Sequence, residues 1–584
     1  VSTQQIAAPA PVRDRLRTNA SVADVAIVAC YVVVAFAVVG PLWTDLADGY
    51  LTNSGQDQNM WEWFFAVAAD GLARGEIPLS TVLQNHPDGV NLMANTSMLG
   101  LGIPLAPITW IFGPTVTFAL ALTGGLAGTA AAWYVVARRH FLTTRAGAAV
   151  CGALCGFAPA MISHANAHPN FVGLFVLPFI VSRVITMAHR DRPVRDGVVL
   201  GLLVAYQVFL GEEPLLITAT GLAVFGACHL AGHGDPLPVL RRLARGLGLA
   251  AAVALPLLAY PLWWQFFGPR SYLTLPHGYT GNDVHAFTAF ATESVAGDPE
   301  RAAALSANRT EENAFFGAPL VLLTLAALAW LWRDRTARAL GVAALLLAWL
   351  STGILLTVDG TSSAIPGPWM LLAEAPLFDS VLASRFAMAC LPMIGLLLGL
   401  ATDRVLATPR LSLRPLWFAA LAVALLPIAP TPLEASERTP VPRFFADGTW
   451  RGYVSGGSVV VVPLPDAGNA DALHWQTKAG LEVPIAEGYF VGPDGGPERQ
   501  GTYGAARRPT SSLLHRVSEQ GTCPAITPSD QARTRADLRQ WRADVVVLGS
   551  HQYVDELRSC VDALLGQSAR AVGGMWVWDV RGRL

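Results

Sequence analysis

The chain has 584 residues, 53% of them hydrophobic and only 14% charged, with a mean hydropathy of +0.42. Soluble domains carry about 25% charged residues, so this composition excludes an ordinary soluble globular protein. The net charge of −2 says nothing about nucleic acid, but no basic patch suits such a partner. All basic residues but Lys478 are arginine, which reads as the coding bias of a GC-rich bacterium.

In chain order, Val22–Trp43 is too long for a signal-peptide core and reads as a retained first span. Further apolar runs cover 115–137, 146–162, 170–187, 197–210, 214–231, 246–262, 315–332, 338–357, 386–406 and 414–430. The pattern predicts an α-helical polytopic membrane protein with about eleven transmembrane helices. The apolar stretch 97–112 is cut off by Gly113-Pro114 and reads as a re-entrant or partly inserted helix. Hydropathy drops near Pro427-Ile-Ala-Pro-Thr-Pro432, dividing a membrane domain, 1–430, from a soluble domain, 431–584.

Arginines orient the chain. Arg13, Arg15 and Arg17 precede the first span. Arg138, Arg139, Arg145, Arg190, Arg192, Arg195, Arg241, Arg242 and Arg245 fall in alternate loops, as do Arg333, Arg335, Arg338, Arg404, Arg410 and Arg414. These loops are assigned to the cytoplasm, which places the N-terminus inside and the C-terminal domain outside a bacterial cytoplasmic membrane. No nucleotide-binding loop accompanies the arginines. Chemistry at the outer face must therefore draw on a substrate already in the membrane or on an ion gradient.

The first outer loop, 44–96, opens with Asp57-Gln-Asn-Met-Trp-Glu-Trp63. Its spacing predicts an amphipathic interfacial helix with Trp61 and Trp63 at headgroup level. Asp57 is either the cap of that helix or a catalytic base. His86-Pro-Asp-Gly-Val-Asn-Leu92 follows; Asp88 suits a turn, and His86 could touch a phosphate or a hydroxyl. His164 and His168 stand four apart at an outer span end, as a weak metal motif or a polar helix cap.

The adjacent carboxylates Glu212 and Glu213, in a three-residue outer turn, are costly unless they face water, a cation or a substrate. Loop 263–314 carries Arg270 and many aromatics, including Trp263, Trp264, Tyr279, Phe287 and Phe290, suited to sugar stacking or lipid packing. Arg385 opens a span from the outer side and either grips a lipid phosphate or pairs with Asp379 or Glu374. Residues 431–584 predict a small α/β domain, with strands at 457–463, 543–549 and 574–579 and helices at 528–542 and 551–565. The glycine- and aromatic-rich loops near Trp475, Tyr489 and Phe490 form either a glycan contact or a structural lid. Cys523 and Cys560 are the only cysteines of that domain, and an oxidising compartment permits them to pair.

This layout resembles the GT-C superfamily, polytopic glycosyltransferases that use polyprenyl-phosphate-linked sugars. Asp57 with its aromatic run, His86–Leu92, Leu382-Ala-Ser-Arg-Phe386 and the Trp576-Val-Trp578 ending are similar to a group of bacterial membrane proteins commonly labelled glycosyltransferases. The paired acids frequent in the superfamily's first loop are replaced here by Gln56-Asp57-Gln58. The resemblance implies inverting transfer of a sugar from a lipid-linked donor to a cell-envelope glycan or lipid acceptor, with Asp57 as general base. His86, Asp88, His164, His168, Glu212, Glu213, Arg270 and Arg385 are the candidate substrate contacts. No metal or other cofactor is required by these residues, although Glu212 and Glu213 leave a divalent cation possible. The alternatives are a transporter or flippase of a lipid-linked glycan, or a non-catalytic envelope-assembly protein.

Overall fold

The computed structural model describes residues 21–231, 234–278, 281–409 and 412–583. Arg13, Arg15, Arg17, Tyr279 and Arg410 lie outside the described residues. The chain is mostly helical. Among the described residues, seven helices are long and apolar enough to cross a membrane: Val22–Thr44, Pro114–His140, Arg145–Ala165, Pro169–His189, Glu212–Leu230, Leu237–Phe267 and Ala383–Ala407.

The other four expected spans form shorter helices, Pro193–Val208, Ala318–Trp330, Arg335–Leu350 and Leu413–Leu425. At ~1.5 Å per residue each falls short of the ~30 Å hydrocarbon core. The stretch 97–112 folds as two short helices, Leu99–Gly102 and Ala106–Phe112, too short to cross. Gly113, at φ 87°, breaks them from Pro114–His140 as expected.

Helix contacts in the apolar region rest on small residues. Gly152 and Gly156 let Arg145–Phe157 press against Pro114–His140. A Cβ on either would come within 2.6 Å of Ala130. Close approach of this kind replaces the hydrophobic drive that lipid removes. The first helix starts with a capping box between Ser21 and Asp24. Asp24 also accepts from Arg145 at 2.9 Å, which anchors the arginine-rich end.

The first loop departs from the interfacial expectation. Asp57–Ala73 is a helix, but Trp61, Trp63, Phe64 and Phe65 are buried, as are Gln58, Asn59 and Glu62 on the polar side. Protein covers both faces. Trp63 Nε1 donates to Gln476 Oε1 at 2.6 Å, and Glu62 is gripped by Arg438 through bonds of 2.7 and 2.9 Å. Gly49–Leu51 also pairs antiparallel with Ala435–Glu437.

The C-terminal region contains a four-stranded sheet in the order Arg570–Val572, Met575–Asp579, Ala543–Leu548, Ser458–Val462. The last two strands are parallel and the other pairings antiparallel. Alternation splits the valines between two cores. Val460, Val462, Val546 and Leu548 face the helices Pro509–Gln520, Pro528–Gln540 and Val554–Leu565. Val459, Val461, Val545 and Val547 join the core that continues into the first loop and the membrane helices. Cys523 and Cys560 are disulfide-bonded, with their Cα atoms 5.6 Å apart.

Candidate active site

Asp57 is the first residue of its helix; Gln56 occupies the cap position and makes no side-chain capping bond. The capping role expected for Asp57 is therefore not what its carboxylate does. It reaches across the fold, Oδ2 lying 3.1 Å from His168 Nε2 and Oδ1 accepting from the Tyr489 hydroxyl.

The histidines are delivered by a broken span. Arg145–Phe157 ends where Ala158 turns extended, and Pro159 starts the short helix Pro159–Ala165. This turn brings His164 Nδ1 within 3.0 Å of His168 Nδ1. Loop 263–314 contributes Glu311, whose Oε1 is 3.8 Å from His168 Nδ1. Arg385 lies in the 3-10 turn Ala383–Ala389, and its Nε donates to both oxygens of Glu311 at 3.1 and 3.2 Å. Its Nη1 pairs with Glu213 Oε2 at 2.5 Å. Asp379 and Glu374, the expected partners, are not the ones used. The guanidinium stands 4.4 Å from the Phe171 ring centre, and that ring stacks on His164 at 4.7 Å.

Burial opposes ionisation of Glu311, but the Arg385 guanidinium outweighs it and holds its carboxyl well below the usual carboxylate range. Side-chain exposure is 4% for Glu311 but 16% for Asp57 and 17% for His168. A substrate approaching from solvent therefore meets Asp57 and His168 first.

Proton bookkeeping makes the cluster a candidate metal centre. Asn313 Nδ2 donates to Glu311 Oε2 at 2.8 Å, so its oxygen faces His164 Nε2, 2.9 Å away, and that nitrogen must donate. His168 Nε2 likewise donates to Asp57. In neutral imidazoles this leaves both Nδ1 lone pairs pointing at each other beside a carboxylate. Only a positive species between them, an extra proton or a cation, relieves that arrangement. His164, His168 and Glu311 offer ligand atoms all within 4.8 Å of one another. Two histidines and a carboxylate form a recognised zinc donor set, and tetrahedral zinc would place the two nitrogens about 3.3 Å apart. Asp57 would then hold the outer nitrogen of a liganding histidine.

Of the candidates read from sequence, the structure brings Asp57, His164, His168, Glu213 and Arg385 together. His86 lies instead against the C-terminal region, its backbone N–H donating to Ile485 O at 3.1 Å. Asp88 and Arg270 pair with each other. Glu212 accepts from Gln265 at 2.7 Å and is not part of the cluster. Trp475, Tyr489 and Phe490 are buried rather than displayed to a glycan. Sequence reasoning placed Glu311 among the polar residues of the outer face and Tyr489 in a glycan-contacting or lid loop, without assigning either to this cluster, and it missed Asn313; the polar run Glu311-Glu312-Asn313 inside an aromatic loop was the available signal.

No protein-family model and no curated protein matches the sequence. Among solved structures the chain is similar to the oligosaccharyltransferase of Archaeoglobus fulgidus in the apo form. That match has 12% identity, covers 90% of this chain and 69% of that one, and has a TM-score of 0.47. The same enzyme in complex with Zn and sulfate also matches at 12% identity, covering 93% and 70% with a TM-score of 0.47. ArnT from Cupriavidus metallidurans in the apo state matches at 15% identity, covering 95% and 97% with a TM-score of 0.46. Both enzymes are GT-C glycosyltransferases, the superfamily that the sequence resembles. At these scores the likeness is a resemblance only, and the functional reading rests on the geometry of the site.

Proposed function

We propose that the chain is a membrane glycosyltransferase that moves a sugar from a polyprenyl-phosphate donor to a cell-envelope glycan or lipid at the outer face of a bacterial cytoplasmic membrane. The reading takes residues 1–430 as the membrane domain and 431–584 as the outer one, with the N-terminus in the cytoplasm. The observation that carries it is an apolar groove ending at the charged cluster. The groove's walls include Phe171, Pro214, Met388, Phe225, Leu340 and Phe141. Phe171 belongs to both features, since its ring also touches His164 and Arg385. From Pro214 to Phe225 the groove follows one helix for roughly 17 Å. An isoprenoid tail from the bilayer would exchange lipid contacts for groove contacts, so the groove orients the donor and would leave its phosphate at the cluster.

In the proposed reaction the acceptor hydroxyl oxygen forms a bond to the anomeric carbon as the bond to the lipid phosphate breaks, inverting configuration. Asp57 takes the hydroxyl proton and the phosphate leaves as an anion. Arg385 is spent on Glu213 and Glu311, which turns it from a phosphate clamp into the brace of the cluster. His164, His168 and Glu311 are the residues that would hold a divalent ion. When bound, such an ion supplies positive charge for the departing phosphate. The disulfide between Cys523 and Cys560 supports an oxidising outer compartment for the C-terminal region.

The test is transfer from radiolabelled polyprenyl-phosphate sugars in membranes, comparing wild type with Asp57→Asn at matched expression. Transfer that the variant loses at least a hundredfold is the expected result. Undiminished transfer by the variant removes Asp57 as base. No transfer by wild type from any donor favours the transporter or assembly alternatives.

A further inference from the structure

The C-terminal region does more than cover the first loop. Tyr489 is buried, and its hydroxyl donates to Asp57 Oδ1 across 432 positions of sequence. With His168 on the other oxygen, both Asp57 oxygens are held and its rotamer is fixed. Burial, together with the negative charge of Asp57, pushes the Tyr489 phenol well up, so it remains a donor.

Behind Tyr489 runs a hairpin, Val491–Pro493 with Gly501–Tyr503, in which Tyr503 pairs with Val491. The outer loops clamp it from two sides. Asn95 donates to Val491 O at 2.8 Å and accepts from Val491 N at 2.5 Å. Arg499 donates to Ser271 O at 3.0 Å, and Gly501 N donates to Thr274 O at 2.6 Å. Gly488, at φ 151°, allows the approach, since a Cβ there would meet Gln84 Oε1 at 2.1 Å. Tyr503, unlike Tyr489, is 50% exposed. It stands across the hairpin from Val491, two residues from the Tyr489 that holds Asp57. A half-exposed aromatic face so close to the hydrogen-bond donor of Asp57 matches a sugar ring, whose C–H face stacks on it.

Resting on the function proposed above, we infer that this hairpin completes the active site: Tyr489 is a positioning residue for Asp57, and Tyr503 is the platform on which the donor's sugar ring stacks. Removing a hydrogen bond to a charged group loosens the carboxylate without altering donor binding, so kcat falls and KM stays. Removing the platform does the reverse.

The experiment uses the full-length protein, with transfer kinetics in native membranes and donor binding measured in lipid nanodiscs. Tyr489→Phe is expected to lower kcat at least tenfold with an unchanged donor KM. Tyr503→Ala is expected to weaken donor binding at least tenfold, with Tyr503→Trp restoring it. Bare polyprenyl phosphate, which lacks the sugar, is expected to bind wild type and Tyr503→Ala equally. Normal kcat in Tyr489→Phe overturns the positioning role. Unchanged donor binding by Tyr503→Ala, an equal loss for bare lipid, or no donor binding by wild type overturns the platform. Donor binding that depends on Tyr503 in a protein without transferase activity would sink the proposed reaction and leave the platform standing.

Discussion

At the residue scale, the cluster around Glu311 concentrates charge that is costly to bury, and its members are mutually dependent. The convergence of His164 Nδ1, His168 Nδ1 and Glu311 predicts that purified protein binds about one equivalent of zinc or manganese by elemental analysis. His168→Ala should lose the metal, whereas His86→Ala should keep it; retention by His168→Ala would refute the centre. A second acid behaves differently. Burial, reinforced by the nearby charge of Glu312, pushes Glu293 up to about 7. Its Oε1 accepts from Asn53 at 2.8 Å and from Asn166 at 3.2 Å, while Oε2 and the Asn166 oxygen have no partner. A proton on Oε2 gives the acid and the amide the complementary groups of a cyclic pair. The folded protein thus holds a proton that the unfolded chain, with its carboxyl near 4.5, has released. Stability should fall as pH rises from about 4.5 to 7, by roughly 3 kcal/mol from this group if fully expressed. Thermal unfolding in detergent across that window should show this slope, and Glu293→Gln should flatten it. An identical slope in the variant would rule Glu293 out.

At the scale of elements, long apolar runs and loop arginines made most of the spans readable, because hydrocarbon tolerates only one kind of long helix. Helix length was less readable: Ala318–Trp330 and Leu413–Leu425 stop short of their apolar runs. The helix Asp57–Ala73 was legible as a helix but not in its surroundings. An aromatic stripe looks the same whether lipid or protein covers it, and here the cover comes both from the stretch around Gly102 and Trp110 and from beyond position 435. Asp57 stood out as an acid ahead of an aromatic run, and His164 and His168 by their spacing of four at a span end. Tyr489 could not, since a tyrosine in a glycine-rich loop carries no mark of a partner 432 positions away. His86 and Asp88 misled because turn composition imitates a polar site. The small-residue seam of Gly152 and Gly156 was not singled out, although its spacing was visible. Gly156→Leu should force the two helices apart and abolish a monodisperse detergent-extracted protein, whereas Gly226→Leu, where nothing lies within 4 Å of a new Cβ, should be tolerated. Equal behaviour of the two variants would contradict the seam.

At the scale of the whole molecule, the first loop and the C-terminal region are joined by a buried ion pair and a shared core. Glu62 and Arg438 are 3% and 4% exposed, and His474 lies 2.7 Å from the Arg438 guanidinium. Removing one partner strands the other charge, at a cost of about 3–5 kcal/mol. Arg438→Met should therefore make the C-terminal region more susceptible to protease in intact membranes. Glu62→Gln combined with Arg438→Met should be milder than the sum of the two single changes, because each relieves the other; strict additivity would argue against coupling.

The two-faced sheet has a consequence for how the protein comes into being. Val459, Val461, Val545 and Val547 share one core with Leu473, Trp475 and Ile485 of the C-terminal region and with Trp63 and Leu83 of the first loop. The sheet therefore completes its packing only when the first loop is in place. Tyr489 and Tyr503 depend on the same docking. On the function proposed above, a chain whose first loop has not yet met the C-terminal region would lack the Tyr489 brace on Asp57.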